Sequence, residues 1–392
     1  MDPRGQRWFC RFGARIGHPG ARALRSKAGY ADFNMCSTNL FIAIALLAAS
    51  PRLAEAESSL TDEQRTTLDS TLEDMRTRAH VPGLAVGIVD GGALVYSRGF
   101  GVRDLGSGAP VDTDTLFHVA SISKTFTTAA VMQLVERGKL TLDDPIERHL
   151  PEFAGSGILV RHLLTHTAGL QDRERPTGSA DASAVNAYVT RVANRARAYA
   201  PGKGWEYSDA DFNVLGALVE KVSRQSFCEY IEEQILAPAK LTHVSCRAPD
   251  AKGNLAWPHR GESTPQRAER HPWDRAFLPS SGIEASVTDV MRWSALHLAR
   301  DPSLLKSVSY AALFEPRVNT SWDGVSMGLG WQLEKRGETW LPRHPGGDPG
   351  FRALMTLYPS RGGAIVILSN GESTPRWELR TAIEKILGQD AR

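Results

Sequence analysis

The sequence has little of several features that define large classes of proteins. It holds four cysteines in 392 residues and no C-x-x-C pair, so it lacks the motif of thioredoxin-like redox proteins. It has no internal repeat, and its apolar run at 40–49 is too short to span a bilayer. Lys and Arg number 46 against 44 Asp and Glu, and we see no basic footprint for a nucleic-acid partner. At 42% hydrophobic and 23% charged residues, the chain is an ordinary globular protein.

The first 56 residues differ from the rest. They hold seven Arg and one Lys against three acidic residues, which leaves the remainder mildly acidic. The run at 40–49 has the length of an export-signal core, and Ala54-Glu55-Ala56 offers a cleavage site. We therefore expect a periplasmic or secreted protein that starts near Glu57, with no membrane span in the mature chain. An Arg-rich mitochondrial transit peptide is the alternative, and the start codon is open between Met1 and Met35.

The remaining residues, 57–392, predict a single α+β domain. A hairpin pattern covers 84–99, with a turn at Asp90-Gly91-Gly92. Four strand-like segments lie near the C-terminus: 327–335, 339–343, 353–358 and 364–368. We expect these two ends to pair in an antiparallel sheet that brackets a helical insertion over about 114–280. Helices predicted at 62–79 and 375–387 would cover the sheet.

The segment Ser121-Ile122-Ser123-Lys124 lies where a strand-like stretch runs into an apolar helix. Residues three apart share a helix face, with Cβ atoms about 5–6 Å apart, so the Lys124 amine can reach the Ser121 hydroxyl. A serine beside an amine supplies a nucleophile and a base. The partial positive charge of the helix N-terminus disfavours a second cation and would help to keep Lys124 neutral.

The same four-residue pattern occurs a second time, so context decides. Ser303-Leu304-Leu305-Lys306 follows Asp301-Pro302, which is typical of a plain helix start. For Ser121 the non-catalytic alternative is that its hydroxyl caps a helix over 122–137 while Lys124 points into solvent. The strand-to-helix context favours Ser121 and Lys124 as the catalytic pair.

Two glycine-containing segments later in the chain hold further candidates. Tyr207 lies in the turn-rich stretch 201–209 and can project from a loop toward a cleft, although packing beside Trp205 is the alternative. The segment His344-Pro345-Gly346-Gly347 ends a predicted strand. Glycine there lets a ligand approach the backbone closely and leaves the Gly347 N–H able to donate.

In this order and spacing, the three segments resemble the motifs of one known family. Ser121-Ile-Ser-Lys124, Tyr207-Ser-Asp209 and His344-Pro-Gly346 are similar to the S-x-x-K, Y-x-N and H-x-G elements of the penicillin-binding-protein and class C β-lactamase superfamily of serine hydrolases. The likeness runs over about 65–385 and includes three connecting stretches: 163–170, 281–283 and 328–331. It implies a β-lactamase/transpeptidase-like fold, an antiparallel sheet flanked by helices with an all-helical insertion lobe.

The resemblance also implies a mechanism that needs no cofactor. Ser121 would attack a carbonyl and hold the acyl group, while Lys124 and Tyr207 share the proton transfers, with the identity of the base left open. Backbone N–H groups of Ser121 and Gly347 would form the oxyanion hole. Further residues of the substrate site would be Asp209, His344 and Gly346. The partner expected is a small ester, amide or peptide.

Departures from the family pattern narrow the substrate. Asp209 stands where the family has Asn, and a carboxylate near Lys124 favours its ammonium form and shifts base duty toward Tyr207. His344 and Pro345 replace the Lys and the hydroxyl-bearing residue of the β-lactamase K-T-G element. Histidine there is more typical of esterases and D-specific peptidases of the family. The sequence thus predicts an esterase or D-amino-acid peptide or amide hydrolase, with a class C-type β-lactamase as an alternative.

Two functions of other classes fit parts of the sequence. His162-Leu-Leu-Thr-His166 has the i,i+4 spacing of two metal ligands, but it lacks the Glu of H-E-x-x-H and a third ligand, so we expect no metal. Asp209 also suggests a catalytically silent relative that serves as a binding or scaffold protein. A covalent label for serine hydrolases distinguishes an active enzyme from a silent relative, because an enzyme is labelled on Ser121 and a silent relative is not.

Two cysteines follow the predicted leader. Cys228 and Cys246 lie 18 residues apart, and an oxidising compartment allows them to form a disulfide. Cys228 also lies in an apolar helical pattern, which is equally typical of a buried free thiol. The sequence leaves both states open, as it does the oligomeric state.

Overall fold

The structure, a computed structural model, describes residues 60–171, 173–249 and 253–388. The predicted leader and its cleavage site lie outside the described residues. The helices are α1 (Asp62–Arg78), α2 (Ser123–Glu136), α3 (Val160–Leu164), α4 (Ser183–Ala193), α5 (Asp209–Ser223), α6 (Phe227–Ile231), α7 (Ala237–Ala239), α8 (Leu278–Ser281), α9 (Val287–Ala299), α10 (Ser307–Leu313) and α11 (Arg376–Ile386). The strands are β1 (Gly83–Asp90), β2 (Ala93–Asp104), β3 (Ala109–Pro110), β4 (Phe117–His118), β5 (Val244–Ser245), β6 (His259–Arg260), β7 (Gln266–Arg267), β8 (Glu284–Ala285), β9 (Val318–Asn319), β10 (Val325–Met327), β11 (Gln332–Arg336), β12 (Thr339–Asp348), β13 (Phe351–Tyr358) and β14 (Gly363–Ser369).

One large antiparallel sheet joins the two ends of the described chain. Its strand order is β3-β2-β1-β14-β13-β12-β11-β10-β9. At the centre, Leu84 of β1 lies opposite Ser369 of β14, and Val89 lies opposite Ala364. The predicted pairing of N-terminal and C-terminal strands is therefore confirmed. Strands β4, β8 and β5 form a second, three-stranded sheet.

Both faces of the large sheet are covered, and strand periodicity sorts the side chains between them. Along β1, Ala85 and Val89 belong to the core shared with the helical lobe, whereas Val86 and Ile88 belong to a second core. Successive side chains of a strand point to opposite faces, so a strand buried on both sides is apolar throughout. Gly87 lies on the lobe side, where a Cβ would approach the Met291 sulfur of α9 to 2.1 Å.

Helices α1 and α11 cover the face of the sheet away from the lobe. Helix α1 begins with a capping box, in which the Thr61 hydroxyl accepts from the Gln64 N–H and the Gln64 side chain accepts from the Thr61 N–H. It buries Leu68 and Leu72, and α11 buries Leu379 and Ile383 in the same core. Both helices agree with the prediction to within a residue or two.

Helix α2 is the central element of the lobe. All its residues from Ser123 to Leu134 are buried, because α5, α6 and α8 pack around it. A helix enclosed in this way must satisfy its polar side chains, Lys124 among them, with partners inside the lobe. The predicted insertion over 114–280 holds α2 to α8, but it also holds the short strands β4 to β7, so it is not helical throughout.

Two strand predictions near the C-terminus need correction. The segment 327–335 is not one strand: β10 ends at Met327 and β11 begins at Gln332. Between them Gly330 has φ +70° and packs so closely on α2 that a Cβ would lie 1.8 Å from the Thr128 hydroxyl, which only glycine permits. Strand β12 also runs to Asp348 instead of ending at residue 343, because its last residues pair with β13.

Cys228 and Cys246 are joined by a disulfide, with their Cα atoms 5.7 Å apart. The bridge links α6 to the segment just after β5 and closes a loop of 18 residues. The free-thiol alternative is therefore not the state of these two residues in the structure. Within the described ranges, no helix combines the length and apolar character needed to cross a membrane.

Candidate active site

Ser121 lies in a single 3-10 turn, Ala120–Ile122, that leads from β4 into α2. Ala120 has φ +47°, a left-handed conformation that costs a non-glycine residue about 1 kcal/mol or more and concentrates at functional sites. The Ser121 side chain is partly exposed, and no side chain caps the start of α2. The structure therefore does not use Ser121 as a helix cap, which was its non-catalytic alternative.

Lys124 is completely buried, at 0% exposure, so it does not extend into solvent. Its Nζ donates to the Ser121 Oγ at 3.1 Å, to the Ser280 carbonyl at 3.0 Å and to the Asp209 carboxylate. An ammonium donates and cannot accept, and all three of these partners are acceptors. The site therefore provides the hydrogen-bond acceptors that a charged lysine requires.

The electrostatics of Lys124 agree with that geometry. Burial disfavours its charge, but the Asp209 carboxylate and the Tyr207 oxygen outweigh burial and raise the pKa of Lys124 above its ordinary value. The neutral amine expected from the helix N-terminus is thus not favoured here. The sequence-based expectation that Asp209 would hold Lys124 as an ammonium is the one that the electrostatics support.

Tyr207 reaches the same site from the loop that precedes α5. Lys124 Nζ lies 4.9 Å from the centre of its ring, and the His166 ring packs against its other side at 4.5 Å. Burial raises the pKa of Tyr207, while Lys124 and the hydrogen bonds with Lys124 and Ser121 oppose that rise. Trp205, the proposed packing partner of Tyr207, instead meets Trp322 edge-on at 4.9 Å.

The end of β12 forms the opposite wall, and Gly346 explains how close it comes. A Cβ on Gly346 would lie 2.3 Å from the Val119 carbonyl, two residues before Ser121. Only glycine therefore lets the nucleophile turn pack on this strand. A Cβ on Gly347 would meet no atom closer than 3.5 Å, so steric crowding does not require glycine at that position.

The side chain of His344, a residue of β12, is fully buried and presents no charge to the cleft. Its Nδ1 lies 2.9 Å from the Pro345 carbonyl, an arrangement in which the ring N–H donates. Burial, followed by the charge of Lys124, lowers the pKa of His344 to about 3. The imidazole is therefore neutral over the physiological range. The family resemblance implies that His344 is a substrate-binding residue, whereas the structure encloses its side chain at 0% exposure.

Several residues of the site gave no clear signal in the sequence. The Ser280 carbonyl that accepts from Lys124 is a backbone atom 156 residues away. Asp211 lies 3.1 Å from His166 Nδ1 in a buried pair behind Tyr207. His166 was considered as a metal ligand with His162, but the His162 Nδ1 instead accepts from the Leu159 N–H at the start of α3.

Other serines of suggestive sequence lie outside the site. Ser303 is exposed in a turn before α10, where its N–H donates to the Asp301 carboxylate at 2.8 Å, so it does not share a helix with Lys306. Ser326 is the middle residue of a G-x-S-x-G match, 324–328. It lies buried within β10, with its hydroxyl on Asn319. A nucleophile elbow requires an exposed serine at a strand-to-helix turn, and Ser326 does not occupy one.

The way in which the chain builds this cleft defines its class. Paired terminal strands form the sheet, an inserted lobe supplies the serine, the lysine and the tyrosine, and one strand of the sheet closes the opposite side. This is the arrangement of β-lactamases and penicillin-binding proteins. The chain belongs to the beta-lactamase family, whose model matches residues 68–388.

Two curated proteins illustrate the family's range. The chain is 29% identical to penicillin-binding protein 4* of Bacillus subtilis (strain 168) over 323 residues, which are 76% of this chain and 71% of that protein. It is 26% identical to Protein flp of Staphylococcus aureus (strain COL) over 336 residues, or 79% of this chain. That match spans 64% of the length of Protein flp.

Solved structures show the same fold. The octameric penicillin-binding protein homologue from Pyrococcus abyssi has a TM-score of 0.74 at 23% identity, over 84% of this chain and 78% of that one. D-alanine carboxypeptidase AmpC from Burkholderia cenocepacia has a TM-score of 0.70 at 24% identity, over 83% and 99%. The predicted α+β, β-lactamase/transpeptidase-like fold is confirmed.

Proposed function

We propose that this chain is a serine hydrolase that forms an acyl-enzyme on Ser121. The observation that carries the proposal is the buried Lys124 ammonium, which donates to the Ser121 Oγ at 3.1 Å. A cation held there stabilises the negative charge that develops on Oγ as it attacks a carbonyl. Burying a charge is costly unless partners compensate for it. A silent scaffold would have no use for such a charge, so the geometry favours an enzyme over a scaffold.

As Ser121 Oγ bonds to the substrate carbonyl, its proton would pass to Tyr207, which would return it to the alcohol or amine that leaves; water would then release the acyl group from Ser121. Lys124 has no lone pair while it is an ammonium, and its N–H groups donate to Asp209, Ser280 and Ser121. Tyr207 is the other titratable group beside this pair: Lys124 Nζ lies 4.9 Å from its ring centre, and interactions with Lys124 and Ser121 act on its pKa. Its raised pKa makes the phenolate a strong but scarce base. The rate of acylation should therefore increase with pH above neutrality.

The carbonyl oxygen of the substrate would lie between the backbone N–H groups of Ser121 and Gly347. Ser121 provides the first donor at the nucleophile turn, and the end of β12 provides the second. Close packing of Gly346 beneath Val119 brings these two segments together. Two preorganised N–H donors stabilise the oxyanion of the tetrahedral intermediate, and removing one such donor typically costs about 10²–10³-fold in rate.

The substrate class follows from the two residues before Gly346. His344 is neutral and enclosed, and Pro345 has no hydroxyl. Neither residue can supply the charge-assisted hydrogen bond that would hold the carboxylate of a β-lactam, a contact worth about 1.5–3 kcal/mol. We therefore propose a short ester or a D-amino-acid amide or peptide as the substrate, with β-lactams as the second candidate.

A panel of three substrates tests this proposal. We expect kcat/KM for a short p-nitrophenyl ester or a D-alanine p-nitroanilide to exceed that for nitrocefin by at least about tenfold, equivalent to about 1.4 kcal/mol. The ratio is measured on one preparation, so that the fraction of active protein cancels. Rapid turnover of nitrocefin without esterase or amidase activity, in protein that loses it on Ser121→Ala, would establish the β-lactamase alternative.

Asp209→Asn, which restores the residue usual in the family, should change the charge state of Lys124. The carboxylate opposes burial at this position, so its loss leaves burial to lower the pKa of Lys124. We expect a decrease of at least about one pH unit, or about 1.4 kcal/mol. NMR titration of ¹³Cε-labelled lysine, assigned with Lys124→Ala, measures it.

Asp74→Asn is the matched control for that titration, because Asp74 is an exposed partner of Arg78 on α1. It should leave the Lys124 signal unchanged. An unchanged Lys124 titration in Asp209→Asn would show that the carboxylate does not hold the charge, and Lys124 would again be a candidate for the base.

A further inference from the structure

A cluster of charged side chains lies beside the cleft and has no role in the proposed acylation of Ser121. His118 Nε2 lies 2.7 Å from an Asp348 oxygen, and His118 Nδ1 lies 3.5 Å from Glu284. Glu284 in turn accepts from Arg270 at 2.5 Å. His118 and Glu284 are 7% and 5% exposed. Two cations and two carboxylates, the His118 cluster, thus balance one another, with the Arg270 and Asp348 side chains still 15% and 22% exposed.

The His118 cluster connects the two walls of the cleft close to the proposed oxyanion donors, which are the backbone N–H groups of Ser121 and Gly347. His118 ends β4, three residues before Ser121, and Asp348 ends β12, directly after Gly347. His118 also pairs with Glu284 across the small sheet. The backbone between these points is already in contact, because Gly346 packs beneath Val119. A shift of either segment would stretch the contact between His118 and Asp348.

We propose that the ion pair of His118 and Asp348 positions the oxyanion hole by holding the turn of Ser121 against the end of β12. The inference rests on the proposed function and names two positioning residues for it. Neither side chain needs to touch the substrate, since each acts through the backbone segment that carries one of the two proposed N–H donors. Misplacement of one donor by about 1 Å can cost as much as 10²-fold in rate.

The charge of His118 gives the pair a characteristic dependence on pH. The groups that face or back it are Asp348, Glu284 and His271, with Arg270 behind Glu284 and Lys124 acting on Asp348. Burial disfavours the imidazolium, but hydrogen bonds with Asp348 and Glu284 outweigh burial and raise the pKa of His118 to about 9. A group with a raised pKa keeps its interaction below that value, so the pair weakens as the pH rises through about 9.

The experiment compares His118→Gln and Asp348→Asn with the matched control Asp289→Asn. Asp289 is a buried carboxyl of α9 that accepts from the His243 N–H, and it has no part in the cleft. We measure kcat and KM with a p-nitrophenyl ester, the rate of fluorophosphonate labelling of Ser121, and the melting temperature. We expect the two cluster variants to lose about 10–100-fold in kcat and in labelling rate, with KM within about threefold. Asp289→Asn should lower the melting temperature only.

A pH profile provides the second readout. The kcat of the wild type should stop increasing as the pH rises through about 9, because loss of the His118 imidazolium offsets the gain in Tyr207 phenolate. The kcat of His118→Gln, which has no imidazolium to lose, should continue to increase. If both folded variants keep kcat and labelling within about threefold of the wild type, or if the kcat of His118→Gln also stops increasing near pH 9, the inference is wrong. If His118→Gln does not fold, the kinetics of Asp348→Asn and the wild-type pH profile still test the positioning role.

The two levels of the proposal fail in different ways. A folded wild type that neither hydrolyses the ester nor reacts with the fluorophosphonate contradicts the proposed function, and the positioning role falls with it. A wild type that reacts at Ser121, beside cluster variants that react equally fast, contradicts the positioning role alone.

Discussion

Ser121→Ala should lower ester hydrolysis by at least about 10³-fold and leave the protein folded. The alanine has no oxygen to attack the carbonyl, so only the remaining polarisation of the bound substrate contributes to the rate. Stability should change little, because the Ser121 side chain is partly exposed and α2 does not use it as a cap. The measurements are kcat/KM with a p-nitrophenyl ester and a thermal melt of each protein.

Ser303→Ala is the control, since Ser303 heads the second S-x-x-K pattern and is exposed in a turn. It should keep the rate within a few-fold. A fluorophosphonate probe followed by peptide mass spectrometry should place the label on Ser121 in the wild type and find none in Ser121→Ala. If Ser303→Ala abolishes the activity while Ser121→Ala retains it, the nucleophile has been assigned wrongly. A folded wild type that takes no label supports the silent-scaffold alternative.

Lys124→Ala should lower the rate by a comparable factor, at least about 10³-fold. Lys124 and Ser121 act as one unit, and the effects of such groups are not additive. We therefore expect the double variant of Ser121 and Lys124 to be no slower than Ser121→Ala alone. Steady-state kinetics on the three variants, at matched concentrations of folded protein, measures this coupling.

The lysine variant should also be less stable than the serine variant. Removing Lys124 leaves the Ser280 carbonyl without its donor and the Asp209 carboxylate without its counter-ion. An unsatisfied buried polar group costs about 1–3 kcal/mol, and the Asp209 side chain is 31% exposed, so water can compensate part of this loss. Lys306→Ala, from the second S-x-x-K pattern, should change neither rate nor stability. A fully active Lys124→Ala would contradict the role of the ammonium in activating Ser121.

A pH profile of the wild type would bring the two titrating groups of the proposal together. Tyr207 should make the rate increase with pH, because its phenolate is the proposed base and its pKa is raised. His118, whose pKa is about 9, should limit that increase from above. An optimum on the alkaline side of neutrality is the expected result.

The sequence alone determined the features that depend on local geometry. Ser121 and Lys124 are one helical turn apart, and that spacing brings a hydroxyl and an amine together wherever the helix forms. The alternating or wholly apolar strands at the two ends predicted the antiparallel sheet correctly, because side-chain direction repeats every two residues. Asp209 lies far from Lys124 in the chain, and the family resemblance alone placed it at the site, where the structure also has it.

The features that depend on contacts between distant parts of the chain were determined only by the tertiary structure. No pattern in the sequence pairs His118 with Asp348, 230 residues later, or turns the Ser280 carbonyl toward Lys124. The break between β10 and β11 results from the close packing of Gly330 on Thr128, a contact invisible to strand periodicity. The charge of Lys124 was likewise undetermined, because the helix N-terminus and Asp209 act in opposite directions. Their balance depends on distances and burial, which exist only once the chain has packed.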